Sequence, residues 1–276
     1  MDMDMDIEAA HNAKRARSFG AVAQLYDRAR PSYPAALFDR LTEGLIGRRI
    51  LEVGAGTGKA TMGFTALGLD VTCIEPDPYM AAVLADRTVP GPQVHIEVAT
   101  FESFTATEPY DALFSAQAWH WTDPATRMDR AAALLRPGGT LGLFWHIATV
   151  RQEDLFHAIH RIYDEFELFG LDRPRDPVAA SAADVTLIQD PNTGPGNELA
   201  GHAGFEYLGT NLYPWRQDYT AAEFGEFLES TSHFQVLDPK IRERLLTAVS
   251  TAIREQFDDL VSLDWSAHCY VARRLG

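Results

Sequence analysis

The regular alternation of apolar strands and helices across the first half of the chain constrains the fold more than any other feature. Short apolar runs, each ended by glycine, proline or acidic residues, are separated by segments with helical periodicity. The predicted strands are Arg49–Val53, Val71–Ile74, Gln93–Val98, Tyr110–Ser115 and Thr140–Trp145. This order predicts an α/β fold in which helices cover both faces of a parallel sheet. Right-handed crossovers then bring the carboxyl ends of these strands to one edge, where ligands bind.

The second half of the chain is less regular but supplies two further predicted strands, Phe205–Trp215 and Leu260–Arg273. Arg151–Phe169 has the periodicity of an amphipathic helix. The stretch 171–204 is rich in proline, glycine, aspartate and alanine, so no element is predicted there. With the first five strands, the pattern predicts a seven-stranded sheet.

The turn after the first strand carries glycine at three alternate positions: Gly54, Gly56 and Gly58. Glycine lets the backbone turn tightly and lets a ligand approach without Cβ clashes. The dinucleotide fingerprint needs a third glycine where Lys59 stands, and the phosphate loop is broken at Val53 and Ala60. Thr57 is a candidate cap for a helix predicted over Thr57–Leu67.

The remaining pattern, an acidic residue followed by alternate glycines, resembles the first motif of class I S-adenosylmethionine-dependent methyltransferases. The resemblance continues through Glu75 after the second strand and through the turn Leu135–Gly139 before the fifth. It departs from the family at Thr100, where the adenine-binding segment often carries aspartate. The resemblance implies S-adenosylmethionine as cofactor. The residues implied to bind it are Glu52, Gly54, Ala55, Gly56, Gly58, Glu75, Pro76, Thr100, Phe101, Ala116 and Gln117.

Two further segments narrow the resemblance. Arg30–Pro34, preceded by Tyr26, and Ala118–Trp121 look like segments of type 11 methyltransferases similar to trans-aconitate methyltransferase. The resemblance implies that Tyr26, Arg30 and Tyr33 also bind the cofactor, because aromatic faces attract a sulfonium cation and arginine binds a carboxylate. Packing of an N-terminal helix and a solvated arginine are the alternative interpretations of the same residues.

The resemblance also implies a domain organisation. The fold is expected to be Rossmann-like, with a seven-stranded, mostly parallel sheet sandwiched by helices. Residues 1–34 are expected to form an N-terminal tail and helical lid, and residues 35–276 the methyltransferase domain. A substrate-cap insertion is expected at 147–204, after the fifth strand. Lid and insertion would close over the acceptor and exclude water.

Two carboxylates have distinct expected roles. Glu52 is expected near the methionine amino group of the cofactor, because an acid in a buried strand needs a partner. Glu75 is expected at the ribose hydroxyls, which an acidic residue after the second strand commonly binds. A solvated acid capping the next helix is the alternative for Glu52, and a turn acid is the alternative for Glu75.

His120 is the candidate catalytic residue, since it follows the fourth strand and its ordinary pKa suits a general base. A structural histidine held between Trp119 and Trp121 is the alternative interpretation. Methyl transfer does not always need a base, because positioning of the nucleophile alone lowers the barrier. His146, at the end of the fifth strand, is a weaker candidate.

Charge and motifs favour a small-molecule acceptor over nucleic acid. The formal net charge is −15, whereas a nucleic-acid binder needs concentrated positive charge. Ser115–Ala118 stands where methyltransferases of nucleic-acid bases carry an Asn/Asp-Pro-Pro-aromatic motif. Phe205–Phe234 contains eight aromatic residues, which either wall an apolar acceptor pocket or pack in a core.

No metal, membrane or secretion signal is visible. Cysteine, histidine and carboxylate spacing fits no metal site, and no apolar run approaches the roughly 18 residues of a membrane span. Cys73 and Cys269 are far apart in the sequence, as in proteins of a reducing compartment. The acidic N-terminus lacks a secretory pattern. We therefore expect a cytoplasmic protein, either a monomer or a homo-oligomer.

Three alternative functions remain open from the sequence. One is a nicotinamide-dependent oxidoreductase, which Lys59 disfavours. The second is a non-catalytic cofactor-binding or scaffold protein on the same fold. The third is a cofactor-bound enzyme that catalyses another reaction, such as a cyclisation. The acceptor is also open, as is the choice of oxygen, nitrogen, sulfur or carbon as the methylated atom.

Overall fold

The computed structural model describes residues 18–88, 93–168 and 194–276, and a seven-stranded sheet runs through this part of the chain. The strands are β1 (Arg49–Val53), β2 (Asp70–Ile74), β3 (Val94–Glu97), β4 (Tyr110–Ala116), β5 (Leu135–Val150), β6 (Phe205–Tyr219) and β7 (Val261–Arg274). Their order across the sheet is β3-β2-β1-β4-β5-β7-β6. The pairs β1–β2, β1–β4, β2–β3 and β4–β5 are parallel. The predicted α/β fold with a seven-stranded, mostly parallel sheet is confirmed.

The strand order reverses at β1, which has β2 on one side and β4 on the other. Leu51 of β1 pairs with Thr72 on β2 and with Leu113 on β4. Connections that leave in opposite directions open a crevice at the carboxyl ends of such strands, and ligands bind there. The glycine-rich turn that follows β1 lies at this end of the sheet.

Helices connect and flank the strands. They are α1 (Ala23–Ala29), α2 (Ala35–Thr42), α3 (Thr61–Ala66), α4 (Pro78–Arg87), α5 (Arg127–Leu134), α6 (Glu153–Glu165), α7 (Gly194–Gly201), α8 (Ala221–Glu229), α9 (Ser232–Gln235) and α10 (Pro239–Gln256). Local sequence sets several starts: Asp77 caps α4 by accepting from the Tyr79 amide at 2.8 Å, ahead of Pro78. None of the helices in the described ranges combines the length and apolarity needed to cross a lipid bilayer.

The chain divides into two compact units, each with its own core. The sheet unit contains the described residues 32–88, 93–146, 194–213 and 267–276, with a core that includes Leu51, Leu113, Trp119 and Tyr270. The helical unit contains residues 18–31, 147–168 and 214–266, with a core that includes Tyr163, Phe227 and Trp265. Parts of the predicted lid (1–17) and of the predicted insertion (169–193) lie outside the described residues.

The prediction that Thr57 caps the helix after β1 is wrong. Helix α3 begins at Thr61, after Ala60, and no side chain caps its first turn. The cause lies in the turn itself, because Gly56 and Gly58 adopt φ values of 57° and 85°. Left-handed backbone at these positions ends any right-handed helix, so α3 begins only after the last glycine.

Helix α7 lies in the stretch for which the sequence predicts no element. Glycine and proline dominate its first turn, and their helix propensities are poor. Leu199 nevertheless is fully buried in the core of the sheet unit, and Glu198 pairs with Arg127 of α5. Tertiary packing therefore stabilises a helix that local propensity does not favour.

Candidate functional site

The glycine-rich turn packs tightly against its neighbours at two of its three glycines. A Cβ on Gly54 would lie 2.3 Å from the Cβ of Ala118, and a Cβ on Gly58 would lie 2.4 Å from Cδ1 of Leu84. A Cβ on Gly56 would meet its nearest neighbour, the Met80 Cε, at an ordinary 3.5 Å. All three glycines have a left-handed backbone, with φ values of 69°, 57° and 85°, and packing adds a second requirement for glycine at Gly54 and Gly58.

Glu75 fixes the shape of this turn from the end of β2. Its Oε2 accepts a hydrogen bond from the Gly56 amide at 2.8 Å, and its Oε1 accepts from the Asp77 amide at 2.9 Å. Burial raises the pKa of Glu75 to about 6, and the two amide bonds oppose that rise. The carboxylate is thus mainly ionised at neutral pH, and each oxygen keeps a lone pair for a further donor.

Glu52 lies at the end of β1 with an exposed fraction of only 1%. Its Oε2 accepts from the Thr61 hydroxyl at 2.6 Å and lies 3.9 Å from the Cys73 sulfur. Burial is the main reason that the pKa of Glu52 rises to about 8, and the charge of Glu75 raises it further. Glu52 therefore holds a proton at neutral pH.

Two buried polar atoms at this turn have no hydrogen-bond partner among the described residues: Oε1 of Glu52 and Oγ1 of Thr57. Buried polar groups are normally paired, so each unpaired atom requires an explanation. A polar ligand bound at the turn supplies one, because a methionine moiety brings both an ammonium group and a carboxylate. These two polar atoms therefore fit the methionine moiety of S-adenosylmethionine.

The predicted adenine-binding segment is a tight turn anchored to α5. Phe101 is buried, and its carbonyl oxygen accepts from the Arg130 Nη2 at 2.8 Å. The Thr100 side chain is exposed, and its hydroxyl donates to Ser103 at 3.1 Å. The Phe101 ring lies 5.5 Å from the Trp119 ring, centroid to centroid. Phe101 therefore packs in the core of the sheet unit beside Trp119, and Thr100 is engaged in its own turn.

The end of β4 lies directly against the glycine-rich turn. Ala116 pairs with Phe144 of β5, and the Gln117 amide donates to the Phe144 carbonyl at 2.9 Å. Gln117 has a φ of 59°, a left-handed conformation that costs energy for a residue other than glycine. The Ala118 side chain packs against Gly54, and the Trp119–Trp121 turn begins at the next residue.

The His120 ring accepts a hydrogen bond at Nδ1. The Trp145 Nε1–H donates to the His120 Nδ1 at 3.3 Å, and the Trp121 ring lies 4.3 Å away. A neutral imidazole whose Nδ1 accepts a hydrogen bond carries its proton on Nε2. In this tautomer His120 presents an N–H donor at Nε2.

The sequence-predicted site residues are divided between the two units. The sheet unit contains Tyr33, Glu52, Gly54, Ala55, Gly56, Gly58, Glu75, Pro76, Thr100, Phe101, Ala116, Gln117 and His120. The helical unit contains Tyr26 and Arg30, and the Arg30 guanidinium lies 5.2 Å from the ring centroids of both Tyr26 and Phe227. Tyr33 packs against His146 at 4.0 Å between ring centroids.

Sequence reasoning missed several residues that shape the site. Thr61 and Cys73 surround Glu52, although they lie on α3 and β2. Trp119 shares the Glu198 carboxylate with Arg127, which is 71 residues away from Glu198 in the sequence. No spacing rule signals such contacts. Among the described residues, no group of three or more histidine, cysteine and acidic side chains is arranged to hold a metal ion.

Comparison with known proteins finds similarity to methyltransferases. A family model described as a methyltransferase domain matches residues 51–143. An uncharacterised methyltransferase of Mycobacterium tuberculosis is 43% identical over 130 residues, which cover 47% of this chain and 52% of that protein. A probable S-adenosylmethionine-dependent methyltransferase of Saccharomyces cerevisiae is 21% identical over 281 residues, 90% of this chain and 94% of that protein.

The fold is shared with solved structures. The structure of a protein proposed to be a type II methyltransferase, from Anaeromyxobacter dehalogenans, matches with a TM-score of 0.58 and 22% identity, covering 89% of this chain and 98% of that one. The chain spans about half the length of the mycobacterial relative, 52% of it. Residues 51–143 therefore match a methyltransferase domain.

Proposed function

We propose that this protein transfers a methyl group from S-adenosylmethionine to a small-molecule acceptor. The observation that carries the proposal is the pair of buried carboxyl groups, Glu52 and Glu75, at the crevice where the strand order reverses. One of them holds a glycine turn in shape, and the other presents an unpaired oxygen beside that turn. Such an arrangement serves a ligand that has both hydroxyl and ammonium donors.

In this proposal, different residues of the sheet unit bind different parts of the cofactor. Glu75 accepts from the ribose hydroxyls, and Oε1 of Glu52 accepts from the methionine ammonium group. Phe101 supplies an apolar surface for adenine, while Ala116 and Gln117 border the same crevice. When bound, S-adenosylmethionine supplies a methyl group on a positively charged sulfur.

His120 is the proposed contact to the acceptor. Its Nδ1 accepts from Trp145, so a neutral ring carries its proton on Nε2, and in this proposal Nε2–H donates to an acceptor oxygen or nitrogen. Removal of a proton by Nε2 would first require the other tautomer, which would break the bond to Trp145. We therefore assign His120 to orienting the acceptor by hydrogen bonding, and orientation alone can supply a large part of the rate.

A small acceptor is supported by charge and by sequence. The formal net charge of −15 opposes binding of nucleic acid. Ser115–Ala118, at the end of β4, lacks the motif of methyltransferases that act on nucleic-acid bases. Tyr26, Arg30 and Tyr33 remain the proposed lid residues. The Arg30 guanidinium lies 5.2 Å from two ring centroids and is proposed to bind an acidic group of the cofactor or the acceptor.

Calorimetric titration with S-adenosylhomocysteine and, separately, with NAD tests the cofactor assignment. We expect saturable binding of S-adenosylhomocysteine and none of NAD. Binding of NAD alone would refute the proposal in favour of an oxidoreductase. A panel of small acids, phenols and indoles, incubated with methyl-labelled cofactor, then tests the transfer. Cofactor binding with no labelled product from any small acceptor would favour a non-catalytic role or another reaction.

A further inference from the structure

We propose that Glu198 of α7 is a positioning residue for cofactor binding, because it holds the Trp119 ring against the predicted adenine-binding segment. The inference rests on the proposed function, since it concerns how the cofactor crevice keeps its shape. Glu198 lies outside the region 51–143 that matches the methyltransferase family, in a helix that the sequence did not predict.

Glu198 is bound on both carboxylate oxygens. Its Oε1 accepts from the Arg127 Nε at 2.5 Å, and its Oε2 accepts from the Arg127 Nη2 at 2.8 Å. The same Oε2 accepts from the Trp119 indole Nε1–H at 3.3 Å. Side-by-side contacts of this kind fix the direction of both planar groups and are stronger than a single ion-pair contact.

Arg127 holds Trp119 a second time. Its Nη1 donates to the Trp119 carbonyl oxygen at 3.1 Å, and its guanidinium carbon lies 5.6 Å from the centroid of the Trp119 ring. The Arg127 and Glu198 side chains are only 17% and 21% exposed, so solvent weakens their attraction less than at an open surface. Trp119 is therefore fixed through both its backbone and its ring.

Trp119 joins two walls of the proposed cofactor crevice. Its ring lies 5.5 Å from the ring of Phe101, with a tilt of 51° between the planes. Its chain neighbour Ala118 contacts the glycine-rich turn at Gly54. A rotation of the indole would therefore move the Phe101 wall, the β4 end, or both, and the cofactor would lose a preformed surface.

Helix α5 supports the same wall from one face. Arg127 and Arg130 are three residues apart, a spacing that puts both side chains on one side of a helix. Arg130 donates to the carbonyl oxygens of Phe101 and Phe104, each at 2.8 Å. Glu198 thus ties α7 to the helix that anchors the adenine-binding segment.

A second, exposed link between the same elements provides a matched control. His202, just after α7, lies 3.0 Å from Asp129 of α5, whose side chain is 85% exposed. Among the described residues, the hydrogen bonds and ring contacts of the Trp119 side chain involve Glu198, Arg127 and Phe101, not this pair. Asp129→Asn therefore removes a carboxylate between α5 and α7 and leaves the Trp119 contacts in place.

The experiment measures the Kd of S-adenosylhomocysteine and the melting temperature for the wild type and for Glu198→Ala, Glu198→Gln and Asp129→Asn. We expect Glu198→Ala to raise Kd on the order of tenfold or more, which corresponds to about 1.4 kcal/mol. Glu198→Gln keeps an acceptor for the indole and should recover part of the affinity. Asp129→Asn should bind like the wild type. If Glu198→Ala does not fold, the Kd values of Glu198→Gln and Asp129→Asn are compared instead. The inference then requires a higher Kd for Glu198→Gln than for Asp129→Asn.

A double-mutant cycle with Trp119→Phe tests the route of the effect. If Glu198 acts through the indole, the double variant Trp119→Phe/Glu198→Ala binds no more weakly than Trp119→Phe alone. Additive losses, or a folded Glu198→Ala with wild-type Kd, would overturn the inference while leaving the proposed function intact. Absence of S-adenosylhomocysteine binding by the wild type would instead refute the proposed function, and this inference with it.

Discussion

Replacing Glu52 with glutamine tests whether cofactor binding expels a proton from the end of β1. Without cofactor, burial raises the pKa of Glu52 from 4.5 to about 8. An ammonium group next to Oε1 favours the ionised carboxylate and lowers this pKa. We therefore expect Glu52 to be protonated before binding and ionised after it.

The size of the effect follows from the pKa. With a pKa of about 8, roughly nine-tenths of the Glu52 side chains carry a proton at pH 7. Binding should then release about 0.9 proton per cofactor molecule. The affinity for S-adenosylhomocysteine should increase about ninefold from pH 6 to 7 and about fivefold from pH 7 to 8, and it should level off above pH 8. Glu75, with a pKa of about 6, is mainly ionised at pH 7 and contributes little.

The same pKa has a consequence for stability without cofactor. Because the folded protein binds this proton more tightly than the unfolded chain does, the stabilisation is complete below pH 4.5 and is lost as the pH rises through 8. Each pKa unit corresponds to about 1.4 kcal/mol, so the full loss is on the order of 5 kcal/mol. Glu52→Gln keeps an acceptor for Thr61 and does not titrate, so its unfolding free energy should lack this decrease.

Calorimetry in two buffers measures the proton directly. The enthalpy of S-adenosylhomocysteine binding at pH 7 is compared in phosphate and in Tris, whose ionisation enthalpies differ, and the difference gives the number of protons released. Glu108→Gln, at an exposed glutamate, is the matched control. Binding enthalpies of the wild type that do not depend on the buffer would refute the reasoning. Equal proton release by the wild type and Glu52→Gln would assign the proton to another group.

Two further predictions concern the turn and the acceptor contact. Gly56→Ala and Gly138→Ala both place alanine at a left-handed position, φ 57° and 80°, so each should lower the unfolding free energy by about 1 kcal/mol. Only Gly56→Ala should weaken S-adenosylhomocysteine binding, because the Gly56 amide holds Glu75; equal binding by both variants would remove the turn from the cofactor site. Once an acceptor is found, His120→Gln, which keeps an N–H donor near the Nε2 position, should retain kcat/KM within about tenfold of the wild type. If His120→Gln instead lowers kcat/KM on the order of 100-fold or more, as His120→Ala does, His120 is a general base. Only in that case should Trp145→Phe change the pH profile of kcat/KM.

The architecture was readable from the sequence because its signals are local. Burial on both faces makes the central strands of a parallel sheet continuous apolar runs, and β1 was predicted with the bounds Arg49–Val53 that the structure has. The glycine spacing, the acid before it and Glu75 after β2 lie within one strand–helix–strand unit. Physical constraints of this kind act over a few residues, and a single sequence records them.

Local patterns failed where packing decides conformation. Thr57 has the residue type of a helix cap, but the left-handed glycines on either side of it delay the helix to Thr61. Gly194–Gly201 has the composition of a loop, but burial of Leu199 and the pair between Glu198 and Arg127 make it helical. The first outcome depends on the backbone conformation that the adjacent glycines adopt in the fold, and the second depends on Arg127, which is far away in the sequence.

By itself, the sequence determined the alternation of strands and helices in the first half of the chain, the glycine-rich turn and the residue types around it. The tertiary structure alone decided the chemical state of those residues. Burial raises the pKa of Glu52 to about 8, and the hydrogen bond from Trp145 to Nδ1 places the proton of a neutral His120 ring on Nε2. The physical reason is that pKa and tautomer depend on desolvation and on neighbours in space. Neither the pKa nor the tautomer can be derived from the spacing of residues along the chain.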